Sequence, residues 1–406
     1  MNSLLRLACQ NFIQIGTLNL TDPSGKVTTF KGKEPGPQAA IHFHTPQSEW
    51  RFLKNPDIAI GDGYVNGDIT CEGGTLYDLL DLVTRNYVLA RSHWLLTLLR
   101  KLDYPLRFWR QSKSRQTAKR QISHHYDLNV EMYKLFLDHD LQYSCAYFTD
   151  PNDTLDAAQE NKKRHIAAKL RLQPGQKILD IGSGWGGLAI YLAQHENVEV
   201  TGITLSEEQC KIANERAKEA GLQDRVKFFV RDYRDEKQQY DRIVSIGMFE
   251  HVGVPHYLEF FQKVEALLKK DGVALIHAIG RSTEPEDNNS WIGTYIFPGG
   301  YCPALSEVFS RIEHVPLFVT DIEILRHHYA QTLKNWLINF EKNRDKAKAL
   351  YDEKFCRMWE FYLTECQFVF QNIGFMVFQI QLVKDQEIAP WTRNYINEWE
   401  LEELRR

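Results

Sequence analysis

From residue 121 onward, short apolar runs alternate with longer segments whose apolar positions recur every three to four residues. That is the pattern of strands and helices taking turns along a parallel sheet. The runs 177–181, 198–203, 226–230, 241–246 and 272–277 read as strands, and 186–195, 206–220 and 255–270 as the helices between them. A strand at 317–322, helices near 327–341 and 347–370, and a strand at 374–383 complete the series. Strands this uniformly apolar are buried on both faces, so helices are expected on both sides of the sheet.

Residues 1–90 follow a different pattern. Lys26-Val27-Thr28-Thr29-Phe30 and Ala40-Ile41-His42-Phe43 alternate over short stretches, broken by Pro35-Gly36-Pro37, Gly61-Asp62-Gly63 and Gly73-Gly74. This predicts a small N-terminal α+β domain. A helix begins near Thr75, with Leu76, Leu79, Leu80 and Val83 at core-facing spacing. With 406 residues the chain exceeds what one core usually holds. Three parts are expected: 1–90, a linker at 91–120, and an α/β domain at 121–406.

Charge changes the picture only at the linker. The net charge of -4 gives no reason to expect nucleic acid as a partner. Between Arg91 and Arg120, however, nine basic residues stand against the single acid Asp103, a local charge of +8, with Trp94, Tyr104, Phe108 and Trp109 interleaved. Such a segment suits an anionic membrane surface, or a solvated connecting helix. The longest apolar runs, such as Trp94-Leu95-Leu96-Thr97-Leu98-Leu99, fall short of the roughly 20 residues a membrane span needs, so no transmembrane helix is expected. Met1 to Gln10 lack the features of a secretory signal, which points to the cytoplasm. Seven scattered cysteines without a Cys-x-x-Cys pair read as free thiols, not as a disulfide framework or a zinc site. His42 and His44 share a strand face, but without further ligands they suit a structural or surface role better than a metal site.

The chemical signal is Lys177-Ile178-Leu179-Asp180-Ile181-Gly182-Ser183-Gly184-Trp185-Gly186-Gly187, an apolar strand running into an acidic residue and a glycine-rich turn that opens a helix. Glycines there let a nucleotide-type ligand approach the backbone and meet the helix N-terminus, while Asp180 is placed to orient the ligand's charged end. The turn alone does not separate S-adenosylmethionine from a dinucleotide. The next strand ends Gly202-Ile203-Thr204-Leu205-Ser206-Glu207-Glu208-Gln209, without the acidic tip typical of nicotinamide-binding proteins. Ser206 and Gln209 form an S-x-x-Q capping box, which for Ser206 competes with ligand contact.

Taken in order, several motifs resemble the cyclopropane-fatty-acyl-phospholipid synthase family of S-adenosylmethionine-dependent methyltransferases. They are His124-His125-Tyr126-Asp127-Leu128, Leu141-Gln142-Tyr143-Ser144-Cys145-Ala146-Tyr147-Phe148, the glycine turn, Gly202 to Ser206, Asp241 to Gly253, and Tyr295-Ile296-Phe297-Pro298-Gly299-Gly300. The resemblance covers nearly the whole chain. It implies a Rossmann-like, seven-stranded, mostly parallel sheet with helices on both faces. By resemblance the cofactor contacts are Tyr143, Ser144, Asp180, Gly182, Gly184, Gly186, Thr204, Gln209, Asp232 and Tyr233. Two departures are visible: Ser183 stands where the family commonly has Cys, and Tyr233 where relatives carry Trp.

The resemblance also implies a bicarbonate ion held by Cys145, Glu250, His277, the backbone of Ile279 and Tyr329. Each has a plainer reading: Cys145 as a small buried apolar group, His277 as a satisfied core histidine, Tyr329 as helix packing. Glu250 stands apart because it follows an apolar strand at the carboxyl edge, where open α/β sheets bind ligands. Cys366 matches a cysteine often assigned as the active-site residue. Its neighbour is Glu365, not the base a thiolate needs, so a packing or pocket-lining role stands beside the catalytic one.

The implied reaction is attack of an acyl-chain double bond on the sulfonium methyl, followed by loss of a methyl proton to bicarbonate and closure of a cyclopropane ring. Tyr143, Tyr147 or Phe297 would face the transient cation. The implied partners are unsaturated phospholipid at the inner face of a membrane, with the protein bound peripherally, and a second copy of the chain in a homodimer. The N-terminal domain would handle substrate or assembly. Rival readings are a methyl-branched or methylated-alkene product, a nicotinamide-dependent oxidoreductase, and a non-catalytic lipid-binding protein on the same fold.

Overall fold

The computed structural model describes residues 1–91, 129–286 and 290–405, so the basic segment beyond Arg91 and the motif His124 to Leu128 lie outside the described residues. The chain divides into two compact units that are not consecutive in sequence. The first draws its described residues from Met1–Arg107, Glu286–Pro298 and Leu333–Phe375, and the second from Phe108–Pro285, Gly299–Thr332 and Met376–Arg406. Two stretches that periodicity places in the α/β domain, 286–298 and 333–375, therefore pack with the N-terminal segment.

In the first unit, β1 (Ile15–Thr21), β2 (Val27–Lys31), β3 (Glu34–Phe43) and β4 (Ile69–Cys71) form a sheet in the order β2-β1-β3-β4. Around it lie α1 (Ser3–Phe12), α2 (Pro46–Lys54), α3 (Pro56–Asn66) and α4 (Leu76–Arg91). Pro35-Gly36-Pro37 does not end a strand as its composition predicts. It lies inside β3, where the parallel register to β1 shifts between Ile15 and Thr17, and Gly16 adopts a φ of 77°. The prolines are absorbed by a bulge at the start of the strand. His42 and His44 do share a face, with ring centroids 4.1 Å apart; His42 Nδ1 lies 2.8 Å from Glu72 and His44 Nε2 2.9 Å from Thr70.

The second unit carries a seven-stranded sheet in the order β10-β11-β9-β8-β5-β6-β7. Its strands are β5 (Lys177–Ile181), β6 (Glu199–Thr204), β7 (Val226–Val230), β8 (Tyr240–Ile246), β9 (Leu268–Arg281), β10 (Phe318–Ile324) and β11 (Phe375–Val383). β5 pairs in parallel with β6 and β8, β6 with β7, and β8 with β9, while β10 and β11 are antiparallel. This is the mostly parallel sheet expected from the sequence.

The helices of the second unit are α5 (Val130–Lys134), α6 (Leu155–Leu170), α7 (Gly187–His195), α8 (Glu207–Glu219) and α9 (Tyr257–Leu267), with α11 (Leu305–Ile312) and α15 (Asn394–Glu403) later in the chain. Between them α10 (Ser290–Tyr295), α13 (Arg344–Leu350) and α14 (Glu353–Phe368) belong to the first unit, and α12 (His328–Lys342) crosses from the second into the first. Leu179 and Ile181 of β5 enter one core with Phe260, Phe261 and Val264 of α9, whereas Ile178 enters the other with α6, α7 and α8. Alternate residues of one strand thus serve the two faces.

The order reverses at β5, with β6 and β7 on one side of it and β8 and β9 on the other. The crevice beyond the carboxyl ends of these strands is where such sheets bind ligands. Among the described residues no helix is long and apolar enough to cross a membrane.

Candidate active site

Beyond β5 the chain turns through Gly182, Gly184 and Gly186, at φ 84°, 54° and 83°. The amides of Gly182 and Ser183 donate to the Ile203 carbonyl at 2.9 and 3.1 Å, which ties the turn to the end of β6. A Cβ on Gly184 would meet nothing within 4 Å, so its backbone borders open space. Gly186 has another task. A Cβ there would fall 2.6 Å from Phe228 Cζ and 2.9 Å from Ala213 Cβ, so this glycine lets α7 pack closely against its neighbours.

The open space is a cavity of about 160 Å³. Of the cofactor positions named from sequence, all except Gly186 line it. Asp180 is buried, and burial pushes its carboxyl up to about 7 against the opposing pull of Lys162. Its Oδ2 and the Ser183 hydroxyl have no hydrogen-bond partner among the described residues. Lys162 of α6 also lines the cavity, donating to Gln142 Oε1 at 2.7 Å and Ser144 Oγ at 2.8 Å; burial pushes it down to about 8. Unsatisfied buried polar groups call for a partner, and these lie on the wall of one cavity.

The expected capping box is only half present. Ser206 Oγ accepts the Gln209 amide at 3.2 Å, but the Gln209 side chain accepts from Thr204 Oγ1 at 2.9 Å and both line the cavity. Asp232 is held by Arg234, with Oδ2 2.6 Å from the guanidinium, while Tyr233 packs edge-on against Phe260 with ring centroids 5.4 Å apart. An acid held by a guanidinium and an aromatic ring fixed by packing suit a ribose and an adenine. Asp180, Lys162 and Ser144 suit an amino acid's ammonium and carboxylate. The donor set therefore fits S-adenosylmethionine.

A second group gathers around the turn after β8. Glu250, in the short Phe249–His251 turn, is buried; its Oε1 accepts the Ile279 amide at 2.7 Å and its Oε2 has no partner among the described residues. Burial pushes its carboxyl up to about 7, and the Ile279 amide pulls the other way. The backbone donor that resemblance offers to an anion at Ile279 is thus engaged by Glu250. His277 of β9 is buried, and burial, with the charges of Lys162, Lys169 and His165, pushes it down to about 3. It is a neutral imidazole.

Cys145 is buried, and burial pushes its thiol well above the ordinary range. Beside it Ala146 N donates to Thr332 Oγ1 at 3.0 Å and Phe148 N to His328 Nδ1 at 3.0 Å, so the segment bearing Cys145 is pinned to the first turn of α12, which carries Tyr329. Tyr147 does not present a face to substrate. It is stacked between His165 and His328, with centroids 4.2 and 5.0 Å away. Phe297 and Cys366 belong to the first unit, Cys366 on α14 beside Glu365, whose buried carboxyl is pushed up to about 8. None of the seven cysteines, all among the described residues, is in a disulfide.

A family model for mycolic acid cyclopropane synthetase matches residues 113–380. The chain belongs to that family. It is an S-adenosylmethionine-dependent methyltransferase. This methyltransferase is 41% identical to the "Probable fatty acid methyltransferase" of Pseudomonas putida over 88% of this chain and 91% of that protein. It is 36% identical to the cyclopropane-fatty-acyl-phospholipid synthase of Escherichia coli over 84% of this chain and 87% of that one. Among solved structures it is similar to the mycolic acid cyclopropane synthase CmaA1 complexed with SAH and CTAB, at 32% identity and a TM-score of 0.62, over 67% of this chain and 99% of that one.

Sequence reading missed Lys162 and the whole of α6. Gln159-Glu160-Asn161-Lys162-Lys163-Arg164 has the composition of a solvated face, yet Gln159, Asn161, Lys162, Lys163, His165 and Lys169 are all buried. Polar residues on every side removed the amphipathic signal.

Proposed function

We propose that this methyltransferase adds one carbon from S-adenosylmethionine to the double bond of an unsaturated phospholipid acyl chain and closes it into a cyclopropane. Bound in the cavity, S-adenosylmethionine supplies an activated methyl group. Asp180, Lys162 and Ser144 orient its amino-acid end, and the glycine turn brings the backbone against it. The acyl chain offers π electrons to the methyl carbon, and ring closure requires that a methyl proton be removed by a base that is not itself methylated.

The observation that carries this reading is Glu250, a buried carboxyl with one oxygen fixed by Ile279 N and the other without a partner among the described residues. Glu250, neutral His277, Cys145 and Tyr329 are taken as one polar niche, as the family resemblance implies; Glu250 stands on a turn whose residues Met248, His251 and Val252 line the cavity. Bicarbonate suits such a niche, because its hydroxyl can donate to Glu250 while His277 donates to an oxygen. Held there, bicarbonate supplies the base. The basic aromatic segment 91–120 would dock the enzyme on anionic lipid, at about 1 kcal/mol per basic residue.

The similarity to fatty acid methyltransferases favours a second product, a methylated alkene left by loss of a proton from the cation, or a methyl-branched acyl chain once a separate hydride donor has reduced that alkene. One experiment separates the two. The gene is expressed in a host without such lipids, fed methionine carrying a trideuterated methyl group, and the fatty acids are analysed by mass. A cyclopropane retains two deuterons, because one leaves on ring closure, and takes up no hydrogen under mild alkene hydrogenation; a methylated alkene takes up hydrogen and retains two or three, according to whether a methyl or a chain proton is lost. Unmodified fatty acids would sink both readings, and turnover indifferent to removal of dissolved bicarbonate would sink the role of the ion.

A further inference from the structure

Lys169 is wholly buried, and nothing in the proposed chemistry accounts for it. It sits near the end of α6, donates to Glu323 Oε2 at 2.5 Å and Gln379 Oε1 at 2.8 Å, and forms an ion pair with Asp321 Oδ2 at 3.5 Å. The two carboxylates anchor it on β10. The amide reaches it from β11 at Gln379, which is itself fully buried. On its other side Gln379 Nε2 lies 3.2 Å from His277 Nδ1.

The order of donors in this chain is forced. An ammonium held by two carboxylates can only donate, so the oxygen of the Gln379 amide must face Lys169. Its NH₂ group then faces His277 and can only donate as well. The Nδ1 atom of His277 must therefore accept, carrying a lone pair, and since the ring is neutral its one proton resides on Nε2. The strand bearing Gln379 is fixed further by Gln381, whose Nε2 donates to the Lys169 carbonyl at 2.6 Å and to Tyr395 Oη at 2.9 Å.

We propose that Lys169 and Gln379 are positioning residues that lock His277 as its Nε2-protonated tautomer and so make it a standing hydrogen-bond donor to the oxyanion of the reaction centre. This rests on the function proposed above for the anion. The assignment of the tautomer does not. A histidine in the other tautomer would turn a lone pair toward that anion and repel it. Charge buried in the sheet is costly unless paired. Two carboxylates pair with this lysine, and its bond to Gln379 sets the histidine.

The test uses the full chain. Selective ¹⁵N labelling of histidine, with His277 assigned by its loss in His277→Gln, is expected to show a neutral ring protonated at Nε2. Gln379→Glu keeps a partner for Lys169 but replaces the donor to His277 with an acceptor. A merely structural role predicts no loss. The tautomer lock predicts movement of the proton to Nδ1 and a fall in kcat of roughly 100-fold, the lower end of what a correctly protonated partner contributes. KM for S-adenosylmethionine should stay at its wild-type value, and kcat is compared at a temperature where both proteins are folded, since the added buried carboxyl lowers the melting temperature. A wild-type His277 protonated at Nδ1, or a Gln379→Glu enzyme with wild-type kcat, overturns the proposal. Should that variant not fold, the wild-type spectrum decides alone. A wild-type enzyme that transfers no methyl group to lipid would instead refute the proposed function and leave the spectrum to be read by itself.

Discussion

Replacing Glu250 by Gln is expected to make the protein more stable at neutral and higher pH while removing most of its activity. In the folded chain the Glu250 carboxyl titrates near 7 instead of its ordinary 4.5, because burial opposes the charge. Its proton is therefore held more tightly in the folded state than in the unfolded one. The stability this confers is whole below about 4.5 and is lost as pH rises through about 7. At about 1.4 kcal/mol per pH unit, ionising Glu250 costs the native state roughly 3 kcal/mol. Gln keeps the acceptor for Ile279 N and cannot ionise. Whatever its extra N–H groups cost does not vary with pH. The variant's stability relative to wild type should then rise by about 3 kcal/mol between about pH 5 and about pH 8, read from denaturant unfolding at each pH. Asp180 and Glu365, also raised, act with the same sign in both proteins and cancel. Over the same range kcat should drop by roughly 100- to 10,000-fold. A Glu250→Gln protein with the wild-type pH dependence of stability, or with wild-type turnover, would refute the reasoning.

Asp180→Asn should weaken S-adenosylmethionine by roughly 10- to 100-fold in calorimetric titration, the worth of a charged hydrogen bond, and an unchanged Kd would remove Asp180 from the binding set. Gly186→Ala should cost roughly 1–3 kcal/mol, through a positive φ and a Cβ against Phe228, and a melting temperature equal to wild type would contradict the packing described. Cys366→Ser should keep kcat within about twofold if the thiol only packs or lines the pocket, and a large loss rescued by no other change would restore it as a nucleophile.

The positions of the central strands and the cofactor turn were legible because their causes are local. β5, β6, β7 and β8 are apolar runs bounded by turn residues, and they begin and end within a residue of where periodicity puts them. β9 starts four residues earlier than expected, since Lys269-Lys270-Asp271-Gly272 has turn composition; there Lys269 is tied to Asp241 at 2.8 Å and the strand is extended through it. α11, only eight residues long, offers too few turns for a period to register. The larger omission, α6, has a physical cause: its lysines are buried by partners contributed from β10, β11 and the segment at 140–144, which no local pattern encodes. The same holds for Gln379. On β11 it reads as one more residue of an apolar strand, and only the fold sets Lys169 on one side of it and His277 on the other.

The interleaving of the two units bears on how the protein is made. Residues 1–91 leave the ribosome early, but the unit they belong to is closed by contacts from much later: Trp291 Nε1 to Asp62 at 3.2 Å, the ring of Phe368 4.6 Å from that of Tyr77, and Asn372 to Thr84 Oγ1 at 2.8 Å. At roughly 5–20 residues per second, the N-terminal segment waits on the order of 15–60 s for its last helix to be synthesised. During that interval the faces these later segments cover are without them. Severing the chain near residue 90 would not release a ready-made module, because the unit is completed only when residues 333–375 have been made.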